Sequence, residues 1–166
     1  MRKIYLSGKR GADLYAIIDN EDYSIVSKYK WYLSTGGYAF TNYWKGTKNH
    51  FNLMLHHLVF GKKKGSAIDH INREKLDNRK QNLRIATPSL NKINTPARAD
   101  SKSGIKGVCW KERDKKWIAQ ININGKRKWL GAYKNINDAI KKYNEVANRI
   151  YGNFAFININ KNYGNN

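Results

Sequence analysis

The chain contains one cysteine, two prolines and only 12 acidic residues among its 166. With Cys109 alone, no intrachain disulfide can form and no zinc site of paired cysteines can be built. Zinc is therefore not expected, and any metal has to be held by oxygen and imidazole donors. No run approaches the ~20 apolar residues a bilayer-spanning helix needs, and residues 1–10 lack the apolar stretch of a secretory signal. The expected location is the cytoplasm, with no membrane partner. The scarce acid stands against 32 Lys and Arg, a formal net charge of +20. A field of that sign draws polyanions, so nucleic acid is the expected partner. A membrane-surface or ribosome-like basic protein would share the charge, but no long amphipathic basic helix and no basic low-complexity tail is present.

A chain of this length suits small modules with modest cores. In residues 1–50, strand-like runs at 14–18, 24–32 and 38–44 are separated by the acidic turn 19–22 and by Gly36-Gly37, which predicts a small antiparallel sheet. Lys3, Lys9, Arg10, Lys28 and Lys45 would add phosphate contacts there, although plain solvation explains them as well. Alternation at Phe51, Leu53 and Leu55 predicts a strand running on through residues 56–60. It should stop at Gly61, before the cationic run 62–64, a solvated loop near the nucleic acid. Two short apolar segments, 66–71 and 83–86, flank a polar stretch, 72–82, too long for a tight hairpin and so read as a functional loop. Thr87-Pro88 has the form of an N-cap followed by the first helical residue, and a helix is expected from Pro88 to about Asn94.

Residues 96–103 have little apolar content and read as a linker. The module at 104–158 reads as strands 107–113, 117–123 and 127–133, joined at Asp114-Lys115 and Asn124-Gly125, followed by a helix over 137–151; residues 159–166 form a tail. Ala139, Ile140, Tyr143, Val146, Ala147 and Ile150 recur at helical spacing and give that helix one apolar face. Strand alternation puts Trp117, Ala119, Ile121 and Ile123 on one side and Gln120 and Asn122 on the other, leaving one sheet face for a ligand. The fold class expected is α+β: a small N-terminal antiparallel sheet, a ββα core, and a C-terminal three-stranded sheet packed on one helix.

Chemistry concentrates between residues 55 and 94. Leu55-His56-His57-Leu58-Val59, Ile68-Asp69-His70-Ile71-Asn72, Asp77-Asn78-Arg79, Asn82-Leu83-Arg84, Asn91 and Asn94 together resemble the HNH nuclease family. The resemblance implies a ββα-metal domain over 51–95. In it, Asp69 and Asn91 hold a divalent ion, His70 is the general base, Asn82 orients His70, and His56 lies in the site or packs beside it. Individually, Asp69, Asn82 and Asn91 would more often cap turns or helices, and His70 would pack in a core; the joint pattern favours the site. An oxygen-only, incompletely filled shell suits Mg²⁺, with Mn²⁺ as substitute. A histidine with an ordinary pKa near 6.5 suits the work of a base at neutral pH. Arg79 and Arg84 are candidate phosphate clamps, with a structural ion pair beside Asp77 as the equal alternative for Arg79.

The C-terminal runs 103–108, 116–121 and 128–133 and the helix ending in Tyr151-Gly152 resemble the Apetala-two/ethylene-response-factor DNA-binding domain. That resemblance implies that the sheet enters the DNA major groove. Lys106, Lys111, Gln120, Arg127 and Trp129 would stand at contact positions, with Arg113, Asn122 and Lys126 beside them. Trp110 and Trp117 read as packing residues. Cys109 departs from the family's arginine, so base preference does not transfer. The expectation is a site-preferring, homing-type DNA endonuclease, monomer or weak homodimer, encoded by a phage or mobile element in a bacterial host. The alternatives are an inactive sequence-specific DNA-binding regulator and an RNA-binding basic protein.

Overall fold

A computed structural model describes residues 1–44, 50–61 and 65–159. Lys45, the cationic run 62–64 and the tail beyond residue 159 lie outside the described residues. The chain divides into two compact units, Met1–Asn91 and Lys92–Asn166.

In the first unit, β1 (Arg2–Tyr5) and β2 (Tyr15–Ile18) form an antiparallel ribbon. A 3₁₀ turn at Asn20–Asp22 leads into the single helical turn α1 (Tyr23–Val26). A three-stranded antiparallel sheet follows from β3 (Tyr32–Leu33), β4 (Ala39–Trp44) and β5 (His50–Met54). Then come α2 (Leu55–Phe60), the ribbon of β6 (Ala67–His70) and β7 (Leu83–Ala86), and α3 (Pro88–Ile93).

Two stretches expected as strand contain helix: residues 24–26 lie in α1, with strand only from Tyr32, and residues 55–60 form α2. In 24–32 the exposed Tyr23 and Ile25 and the buried Val26 and Trp31 do not alternate, and the Trp31 indole donates to Val26 O at 2.9 Å across the end of α1. In 55–60 the buried residues are Leu55, His56 and Val59, one helical face rather than every second residue. The N-terminal strands and residues 51–91 share one core: Ile4, Ile18, Val26 and Trp31 pack in a cluster with Leu55, Val59, Ile68 and Leu83.

The second unit is a sheet of β8 (Val108–Lys111), β9 (Lys116–Ile123) and β10 (Lys126–Tyr133), ordered β10-β9-β8, with α4 (Ile136–Tyr151) packed on it. Asn135 caps α4, its side chain accepting from Asn137 N. Ala139, Ile140, Tyr143, Val146 and Ala147 meet Val108, Ala119 and Ile121 in the core, while Ile150 stays exposed at the helix end. The first strand ends at Lys111 rather than Arg113, because Glu112–Asp114 is a 3₁₀ turn closed by Lys115 in the left-handed region at φ 47°. Gly107 sits at φ 74°, where a Cβ would lie 2.2 Å from the Tyr143 ring and 2.5 Å from Gln120 O. Gly107→Ala is expected to destabilise this unit by more than ~2 kcal/mol, through backbone strain and overpacking together; an unchanged urea midpoint would refute it. No helix among the described residues is long and apolar enough to cross a membrane.

Candidate functional site

The β6–β7 ribbon sets the geometry. Its register pairs Asp69 with Arg84 and His70 with Leu83, and neighbouring side chains on a strand point to opposite faces. Asp69 therefore meets the Arg84 guanidinium, with Nε at 2.8 Å and Nη2 at 2.5 Å from Oδ2. His70 enters a pocket of rings. The inward face of α2 brings the buried His56 to a centroid distance of 5.2 Å, and Tyr38 lies 5.8 Å away. Both Asp69 and His70 are buried, at 5% and 4% exposure. His57 stands edge-on to His56 at 4.4 Å.

Burial lowers the His70 pKa below the ordinary value; an Asn78 hydrogen bond and the charges of Asp69 and Asp77 offset part of that shift. A lowered pKa favours the neutral ring, the state a proton acceptor requires. Two consequences follow with the same sign. Activity that needs neutral His70 should hold at neutral pH and fall as pH drops through a value below 6.5, read as the acid limb of a kcat/KM profile. The unfolded chain binds the proton first, so this residue makes the fold less stable as pH falls from about 6.5 through the folded pKa. An acid limb above 7 would contradict the assignment.

The loop at 72–82 is ordered by its own polar groups. Asp77 accepts from Arg79 Nε at 2.7 Å, Arg79 Nη2 at 2.6 Å and Asn72 Nδ2 at 2.9 Å. The Arg79 guanidinium holds the Asp77 carboxyl below the usual carboxylate range. Lys80 N donates to Asp19 Oδ2 at 2.8 Å, and the Lys80 ammonium also meets Glu21 and Asp22, so the N-terminal segment anchors the loop. Asn82 Nδ2 donates to Asp77 O at 2.8 Å and Asn82 Oδ1 accepts from Asn72 N at 2.9 Å. Its amide shapes the loop and reaches His70 only through it. The guanidiniums of Arg79 and Arg84 are thus engaged by Asp77 and Asp69.

Asn91 lies on α3, capped as expected: Thr87 Oγ1 accepts from Leu90 N at 3.2 Å, and Thr87 O accepts from Asn91 N at 2.9 Å. Among the described residues there is no group of three His, Cys, Asp or Glu that could hold a metal. Asp69 and Asn91 remain as a carboxylate and an amide oxygen. That donor set fits a hard divalent ion that keeps several waters and substrate oxygens in its shell.

Two residues of the pocket were not singled out from the sequence. Asn78, fully buried at 0% exposure, places Oδ1 3.4 Å from His70 Nε2; the Asp-Asn-Arg motif was its signal. Tyr38 packs on both His56 and His70 from a hairpin some thirty residues upstream, and no local pattern marks it. Burial first, and the Asp69 charge second, raise its phenol pKa. Lys75 Nζ lies 5.0 Å from the Tyr38 ring centroid and donates to Gly36 O at 2.8 Å.

In the second unit the sheet face opposite α4 carries cross-strand pairs Asn122–Arg127 and Gln120–Trp129. Asn122, Lys126 and Arg127 are exposed, Gln120 is half-buried, and Trp129 is 68% exposed. Trp110 rests against Trp117 at 5.2 Å but is itself 42% exposed, so it is a partial lid on the sheet end and not a core residue. Lys111 and Arg113 both pair with Asp114, at 2.7 and 2.9 Å. Lys106 is placed differently from the others. Its ammonium donates to Ile93 O and Thr95 O at 2.6 Å each, and burial lowers its pKa to about 8.

With this geometry in view, the relatives are informative. No protein-family model matches the chain. An uncharacterized HNH endonuclease of Acanthamoeba polyphaga mimivirus is 32% identical over 151 residues, which span 90% of this chain and 77% of that one. The chain belongs to the HNH endonuclease family. Protein 3.8 of Escherichia phage T7 is 34% identical over 64 residues, 39% of this chain and 53% of that protein. Among solved structures, one described as DNA binding and cleavage by the HNH homing endonuclease I-HmuI matches 74% of this chain and 75% of that one, with a TM-score of 0.38 and 22% identity.

Proposed function

We propose that the protein is a site-preferring DNA endonuclease that hydrolyses phosphodiester bonds of duplex DNA, with His70 as general base and Asp69 and Asn91 as the oxygen donors for one divalent ion, Mg²⁺ in the cell. The carrying observation is a buried histidine next to a buried aspartate on β6, in a chain of this family. When bound, the ion supplies positive charge for the phosphate and for the departing 3′ oxygen. His70 takes the proton of the attacking water. His56 and Tyr38 wall the imidazole and limit its rotation, and Asn82 closes the loop behind it. The products are a 5′-phosphate and a 3′-hydroxyl. A chain with one site cuts one strand per event, and both strands only as a weak homodimer.

The β8–β10 sheet is the reader in this proposal, in line with its resemblance to the Apetala-two/ethylene-response-factor domain. A strand pair fits the major groove, roughly 12 Å wide. Exposed Arg127 and Lys126 would hold phosphates, and Gln120 and Asn122 present amides to base edges. Arg127→Ala is expected to weaken binding evenly across sequences and to reduce the slope of log affinity against log salt by about 1; an unchanged slope would remove Arg127 from the interface. The deciding experiment is relaxation of supercoiled plasmid with Mg²⁺ and with EDTA. Nicked or linear product with Mg²⁺ alone supports the nuclease, and binding without product supports the inactive regulator.

A further inference from the structure

The asparagine whose side chain reaches His70 is Asn78 and not Asn82, the one the motif names. Asn82 has both halves of its amide bonded inside the loop, to Asp77 O and Asn72 N. Asn78 is the residue whose side chain reaches the ring, with Oδ1 3.4 Å from His70 Nε2. Its backbone is held in place by a neighbouring strand. Asn78 N donates to Ile17 O at 2.8 Å, Ile17 N donates to Leu76 O at 2.7 Å, and Ile17 and Asp77 form a parallel bridge. The peptide just before Asn78 is held from its other side by the Asn82 amide. The loop is thereby pinned between β2 and Asn82 so that one fully buried amide faces one imidazole.

The chemistry of that contact is selective. A carboxamide oxygen only accepts, so the contact requires the proton on His70 Nε2 and leaves the lone pair on Nδ1. An amide does not ionise in this range and does not compete for the proton His70 is to receive. Asn78 also carries a cost that packing alone does not explain: its Nδ2 is buried with no hydrogen-bond partner among the described residues.

We propose that Asn78 is the positioning residue for His70: it fixes the Nε2–H tautomer, so that proton transfer in the cleavage reaction proceeds through Nδ1. The inference rests on the nuclease reading above for its catalytic sense, but the tautomer can be measured without cleavage. Long-range ¹H–¹⁵N NMR on the metal-free full-length protein, with His70 assigned by its absence from His70→Ala, should show the Nε2–H form in the wild type. Asn78→Asp keeps an acceptor of the same shape and should keep that form, whereas Asn78→Ala should mix the two. In plasmid nicking, Asn78→Ala should lower kcat by about 10²-fold with KM for DNA nearly unchanged, and Asn78→Asp should recover part of the loss. A wild-type Nδ1–H tautomer, or an Nε2–H form unmoved by Asn78→Ala, overturns the proposal. If Asn78→Ala does not fold, Asn78→Leu, of similar volume but with no acceptor, takes its place and should likewise mix the two forms. Wild-type protein that holds the Nε2–H tautomer and binds DNA but nicks nothing overturns the nuclease reading, and with it the catalytic role of Asn78, leaving a structural contact only.

Discussion

His70→Ala is expected to abolish nicking of supercoiled DNA while leaving DNA affinity nearly intact. Positioned acid–base groups contribute roughly 10² to 10⁴ in rate, so the variant should show no product in the time the wild type takes to relax the plasmid fully. Affinity should survive because His70 is 4% exposed and faces rings and an amide, not solvent. The net charge of +20 comes from Lys and Arg distributed over the chain, and phosphate binding is largely their work. Two measurements check this: a gel assay with Mg²⁺ and EDTA arms, and fluorescence anisotropy on duplex DNA at fixed salt. Wild-type nicking rates in the variant would displace His70 as the base. A large loss of affinity would mean that the imidazole holds substrate or the fold instead.

The parts of this fold that the sequence revealed are those whose signals are local. Asn124-Gly125 marks a hairpin because two residues near or past φ 50° are needed there, and the structure gives 51° and 78°. The periodicity of residues 139–147 marks α4 because its burial is decided by the helix's own spacing against one sheet. Leu55, His56 and Val59 were harder to read. Alternation at 51, 53 and 55 continues a strand on paper, and only the demand that Leu55 and Val59 reach the same core as Trp31 and Ile68 turns the chain into α2. The site divides in the same way. Asp69 and His70 are adjacent and belong to one motif, whereas Tyr38 and the Ile17 carbonyl come to the loop through tertiary packing that no window of sequence contains. For Arg79 the sequence left a phosphate clamp and an ion pair beside Asp77 both open, and for Arg84 it offered a clamp. Composition shows that Arg79 and Arg84 are cationic, but only the loop geometry and the β6–β7 register show that carboxylates already hold them.

The Asp69–Arg84 pair makes the second large expected effect. The two side chains are 6% and 13% exposed, so the guanidinium compensates a carboxylate that has lost most of its hydration. Removing one partner of a buried pair costs about 3–5 kcal/mol, chiefly because the other charge stays behind. Arg84→Ala should lose stability in that range in EDTA, read from urea midpoints at neutral pH. A divalent ion held by Asp69 would supply replacement charge, and binding to the folded state alone stabilises by mass action. Millimolar Mg²⁺ should therefore raise the midpoint of Arg84→Ala by more than that of the wild type. Asp69→Asn removes the charge itself, and adding it to Arg84→Ala should recover part of the loss while abolishing the Mg²⁺ effect. This double-mutant cycle separates the ion pair from simple loss of side-chain volume. Equal Mg²⁺ shifts in all four proteins would show that Asp69 is not a metal donor. A loss below about 1 kcal/mol for Arg84→Ala would show that the pair is solvated like a surface salt bridge. With the expected pattern, Arg84 is the charge that keeps Asp69 in place on β6 before the ion arrives. The register pairing Asp69 with Arg84 is then what lets a small unit bury a carboxylate at its site and remain folded.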